Sequence, residues 1–113
     1  MKTLEREVLG LATEDRYGLW EALWLLRTKC PQVGEPELQD MAKRIVSNLL
    51  TAGYIYISRY DPRKEAEDIL SREQALKEID NAANWLPPAQ EKRYIAFSSM
   101  EAGDKIYYKE HLP

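Results

Sequence analysis

A chain of 113 residues with one cysteine, one histidine and a formal net charge of -3 is about one ordinary domain, able to bury a core without disulfides or a structural metal. Its 16 basic and 19 acidic residues are interspersed, so no strong field recommends nucleic acid or an anionic membrane. Cys30 alone cannot close an internal disulfide and suits a reducing compartment, and no apolar run approaches a membrane span or a signal-peptide core. The expectation is a cytoplasmic, soluble single domain over 1–113.

Leu4, Val8 and Leu11 recur at helical spacing around Glu5, Arg6 and Glu7, which predicts an amphipathic helix over 3–12 that ATEDR then breaks. In YGLWEALWLLRT, residues Tyr17, Leu19, Trp20, Leu23, Trp24 and Leu26 cover more than half of a helical wheel and leave Gly18, Glu21 and Thr28 as a narrow polar strip. A second helix starting at Tyr17 and buried on several sides is expected, with Leu25 as surplus apolar surface on that strip. KCPQVGEPE is a connector, and Pro36 fits the first turn of a third helix running to about Ala52. Leu38, Met41, Ala42, Ile45 and Leu49 form its inner face, which turns Glu37, Asp40, Lys43, Arg44, Ser47, Asn48 and Thr51 toward water.

Gly53 stands where a left-handed helix cap is wanted, and YIYISRY alternates as a strand over 54–60. RKEAEDIL reads as loose chain. Ser71 with Gln74 makes a capping box before a short helix near 72–82, and NWLPPAQEK is a loop by its two prolines. RYIAF resumes a strand over 93–98, expected to pair antiparallel with 54–60. Ser98 and Glu101 form a further capping box before a terminal helix over 99–111 with Met100, Ile106 and Tyr107 inward.

The order helix, helix, helix, strand, strand, helix is that of a winged helix: α+β, mainly helical, with a three-helix core, a two-stranded wing carrying an inserted helix within about 61–92, and a C-terminal helix. The residues that carry a family likeness are Leu9-Gly10-Leu11-Ala12 and Tyr17-Gly18-Leu19-Trp20-Glu21, then VSNLLTAGYIYISRY with Leu49, Leu50, Gly53 and Ile55, then RYIAFSSMEAGDKIYY with Tyr94, Phe97, Glu101 and Gly103. These resemble the "LGLLA", "YGYE", "LxxLExxGLVxSxx" and "RYYxLTxxGxxxL" patterns of PadR-like winged-helix regulators. The resemblance covers about 80 of the 113 residues and is a pattern of fold-making positions, which bears on fold more than on function.

It implies a dimeric transcription regulator that reads double-stranded DNA with its third helix and wing. Lys43, Arg44, Ser47 and Asn48 would meet the major groove, and Arg59, Arg63 and Lys64 would hold phosphates from the wing. The regulator is the first reading, and two departures support the alternative of a winged-helix protein–protein interaction module without DNA binding. The third helix opens with Glu35, Glu37 and Asp40 against only Lys43 and Arg44, and the enlarged wing sets Glu67, Asp68, Glu73, Glu78 and Asp80 against Arg72 and Lys77. The same α-helical face also suits an ordinary solvated side, and carboxylates favour a helix N-terminus for dipole reasons alone.

A homodimer is expected under either reading, with Leu4, Val8, Trp20, Trp24, Leu25, Ile106 and Tyr107 as the pairing surface, although aromatic residues at helical spacing are usually core. Enzymatic readings find little. His111 sits at the end of the chain, no Gly-rich phosphate loop, nucleophile elbow or Cys-x-x-Cys pair occurs, and Glu14-Asp15 and Glu67-Asp68 lack the apolar setting that tunes carboxylates. No cofactor, metal site or membrane contact is expected.

Overall fold

The computed structural model describes residues 1–111, with side chains through residue 109. Helix α1 (Thr3–Glu14) leads through a two-residue strand β1 (Tyr17–Gly18) into α2 (Leu19–Lys29), and α3 (Glu35–Thr51) follows. Strands β2 (Ile55–Asp61) and β3 (Ala66–Ile69) form a hairpin, α4 (Arg72–Asp80) runs into a 3-10 turn at Ala82–Trp85, and β4 (Tyr94–Ser99) precedes α5 (Glu101–His111). The domain is α+β and mainly helical, and its sheet is antiparallel in the order β1-β4-β2-β3.

The central pair is β2 with β4, in register from Ile55 opposite Ser99 to Tyr60 opposite Tyr94, as the alternation of YIYISRY and RYIAF predicts. Ile55, Ile57, Ile95 and Phe97 face the helices and are buried with Leu9, Leu19, Leu26, Leu38, Val46 and Leu49. Helix α3 ends because Gly53 takes φ +80°, where the amides of Gly53 and Tyr54 return to the carbonyls of Leu50 and Leu49 at 3.0 Å each. That reversal is what lets β2 start at Ile55, with only three residues between it and the end of the helix at Thr51. Helix α5 then lies close on the chain just after the reversal, since a Cβ on Gly103 would fall 2.1 Å from the Tyr54 carbonyl oxygen.

Five expectations are corrected. Tyr17 and Gly18 are strand rather than helix, paired with Phe97 and Ala96, and α2 starts at Leu19 after the Glu21 carboxylate accepts the Gly18 N–H at 2.8 Å. The Trp20 ring lies over Gly18, so any side chain there would collide with it. RKEAEDIL forms strand β3, so the expected two-stranded wing is part of a four-stranded sheet; β3 is mostly exposed and carries little apolar signal. Trp85, read as loop, is 1% exposed and donates its indole N–H to the Ile79 carbonyl at 2.7 Å. The Ser71–Gln74 box forms, but the Ser98–Glu101 box does not, because β4 runs on to Ser99. The Ser99 hydroxyl instead donates to Asp104 at 2.6 Å, and Met100 faces water.

Candidate interaction surface

Helix α3 presents Lys43 and Ser47 on one flank and Arg44 and Asn48 on the next, as 3.6-residue periodicity requires. The first flank is covered in part by α4, which packs on α3 by burying Ala75 and Ile79. Lys43 Nζ lies 3.9 Å from the Asp80 carboxylate and 3.5 Å from the Asp80 carbonyl oxygen. On its other side α4 sets Glu78 3.9 Å from the Arg59 guanidinium of β2. One acidic helix thus partners two of the basic residues expected to meet DNA. Arg63 and Lys64 stand exposed at the β2–β3 turn.

Two grooves flank the exposed ridge of α3. One of about 500 Å³ runs between α3 and α4, walled by Lys43, Arg44, Ser47, Leu76, Lys77 and Asp80. The other, of about 270 Å³, runs between α3 and the start of α1 and is lined by Leu4, Met41, Arg44, Ile45 and Asn48 among others. Arg44 borders both. Glu35 at the start of α3 does not stand free, because Arg27 of α2 holds it through a two-point hydrogen-bonded pair. Those hydrogen bonds keep the Glu35 carboxyl below its ordinary range.

The residues expected to pair two copies are mostly spent inside one. Val8 is fully buried and has no surface to offer a second chain, which corrects its assignment to an interface. Leu4, Leu25, Ile106 and Tyr107 are half-buried against the core, and the Tyr107 ring comes within about 3 Å of where a Cβ on Gly10 would sit, so the α1 and α5 stripes cover one another. Trp20 is half-buried and meets Tyr94 edge to face at 4.9 Å between centroids. Trp24 is exposed at 48%. Cys30 is half-buried against the core. The side chain of His111 lies outside the described residues.

A polar cluster that sequence reasoning missed occupies the outer face of the sheet. The register puts Tyr56, Ser58, Tyr60, Glu67 and Tyr94 on that face. Glu67 accepts hydrogen bonds from Arg16 Nε at 2.9 Å, Tyr56 Oη at 2.9 Å and Ser58 Oγ at 3.0 Å. Burial pushes the Glu67 carboxyl up, yet the three hydrogen bonds and the Arg16 charge outweigh it and hold it low. Burial and the adjacent Glu67 carboxylate both push the Tyr56 phenol up, against the weaker opposing pull of Ser98 and Arg16. The Arg16 guanidinium also stacks over Tyr60 at 4.1 Å, and Tyr60, Tyr94 and Trp20 continue as a row of edge-to-face rings. Arg16 and Glu67 are 51 residues apart, and only the polar side of the YIYISRY alternation hinted at such a face.

No family model, curated protein or solved structure matches the chain. Among the described residues, no group of three or more His, Cys, Asp or Glu is placed to hold a metal ion, and no helix is long and apolar enough to cross a membrane.

Proposed function

We propose that this protein is a non-enzymatic winged-helix module, PadR-like in its element order, whose third helix and insert bind another protein rather than DNA. The observation that carries the reading is the position of α4, packed on α3 with Asp80 at Lys43 and Glu78 at Arg59. A single helix of about 10–12 Å diameter fits a major groove about 12 Å wide. Two helices packed with axes about 8–10 Å apart span roughly 20 Å and do not enter together. The acidic residues of α4 also neutralise Lys43 and Arg59, which lowers the uncompensated positive charge that drives DNA affinity through counterion release.

A DNA-binding homodimeric regulator is the second reading, favoured by Arg44, Asn48, Arg63 and Lys64, which are exposed on α3 and the hairpin turn. We place the pairing surface of a homodimer at Trp24, because the terminal helices cover one another within the chain.

The two readings part in an anisotropy titration with a mixed-sequence duplex at about 50 and 200 mM salt, the range over which phosphate contacts lose most of their strength. The interaction reading expects no saturable binding, and a photocrosslinker replacing Leu76 in the cells of origin should label a discrete polypeptide. Salt-sensitive binding that the Lys43→Glu, Arg44→Glu double variant abolishes, or crosslinking to nucleic acid alone, would overturn it in favour of the regulator.

A further inference from the structure

An open cleft of about 410 Å³, which shares no lining residue with the α3–α4 groove, lies where the α1–α2 junction, the hairpin turn and the chain before β4 meet. Its apolar walls are Trp20, Tyr17, Tyr94 and the prolines Pro62, Pro87 and Pro88. Three carboxylates, Asp15, Glu21 and Glu91, share the lining with Arg16 and Lys92. Arg16 is already committed to Glu67 at 2.9 Å, which leaves Lys92 as the cation against three acids. Glu21 uses one oxygen on the Gly18 N–H, and Asp15 uses one on the Arg16 N–H at 2.7 Å, so each keeps a second oxygen for a ligand.

The fold holds one guanidinium on this aromatic row already, since Arg16 stacks on Tyr60. Tyr94 follows Tyr60 at 5.4 Å and Trp20 follows Tyr94 at 4.9 Å, and these two rings line the cleft beyond the reach of that stack. Aromatic rings with a carboxylate rim recognise a cation that has an apolar or planar body, because ring quadrupole and Coulomb attraction add while the body covers apolar wall. We propose that this cleft binds an arginine-bearing segment of a partner polypeptide, its guanidinium over Trp20 and Tyr94 and its charge met by Asp15, Glu21 and Glu91. Burial pushes the phenol of Tyr17 up, as do Glu14, Glu21 and Asp15, which agrees with a negative potential at the cleft mouth. The site is on a different surface from α3, so it stands or falls independently of the function proposed above.

The test is a titration of ¹⁵N-labelled full chain with an acetylated, amidated hexapeptide containing two arginines, and with the same peptide carrying citrulline, whose urea keeps the shape and lacks the charge. The indole N–H of Trp20, assigned by its loss in Trp20→Phe, should shift and saturate with the arginine peptide and not with the citrulline peptide. Asp15→Asn with Glu91→Gln, which keeps an acceptor for the Arg16 N–H at position 15, should weaken binding about three- to tenfold, as expected for two partly exposed charge pairs. Equal response to both peptides, no response to either, or undiminished affinity in the double variant would each overturn the proposal.

Discussion

Replacing Glu67 by alanine should destabilise the domain more than any other single surface substitution on the sheet. The carboxylate accepts from Arg16, Tyr56 and Ser58, and its side chain is only 21% exposed. The Arg16 link is 29% exposed and, like other open ion pairs, is worth no more than about 1 kcal/mol. Ser58 is 0% exposed, so stranding its hydroxyl costs roughly 1 kcal/mol or more, and loss of the Tyr56 bond adds about the same. The total is about 2–3 kcal/mol, and at about 4 °C per kcal/mol for a domain of this size the melting temperature should fall by about 8–12 °C. Glu67→Gln keeps an acceptor and should lose about 1 kcal/mol.

The pH dependence follows from the sign of the shift. Glu67 is held below the ordinary carboxyl value of 4.5 in the folded chain. Its contribution is therefore present above that unfolded value and is lost as pH falls through the lower folded one. Urea denaturation of wild type and Glu67→Gln should show a constant difference between about pH 6 and 8 that narrows below about pH 4.5. An alanine variant within about 0.5 kcal/mol of wild type, or a double-mutant cycle with Arg16→Met that shows no coupling, would refute the account of this cluster.

Trp85→Ala should cost about 3–5 kcal/mol, a large share of the stability of a domain this size, and its midpoint in urea tests whether the insert belongs to the main core. Gly103→Ala forces a Cβ to within 2.1 Å of the Tyr54 carbonyl, so amide hydrogen exchange in α5 should accelerate markedly while α3 stays protected; unchanged exchange would mean that α5 is not docked there. Sedimentation equilibrium at micromolar concentration should give a dimer that Trp24→Glu dissociates; a single species near 13 kDa would dispose of self-pairing.

Sequence alone determined the elements whose cause is local. The 3.6-residue spacing of Leu38, Ala42, Ile45 and Leu49 made α3, Gly53 stopped it, and the period-2 alternation of 54–60 and 93–98 made the β2–β4 pair, because each signal is contained within one segment. Ser71 and Gln74 capped α4 for the same reason. What only the tertiary structure decided depends on partners distant in sequence. Tyr17 and Gly18 are strand because β4 is beside them, and RKEAEDIL is strand because β2 offers an edge and Glu67 finds Arg16. Trp85 is core because Ile79 and α2 close around it. The basic face expected on α3 lost its freedom in the same way: residues 43 and 80 lie far apart along the chain, and charge balance read along a sequence carries no information about which acid will come to rest beside which base until the helices have packed.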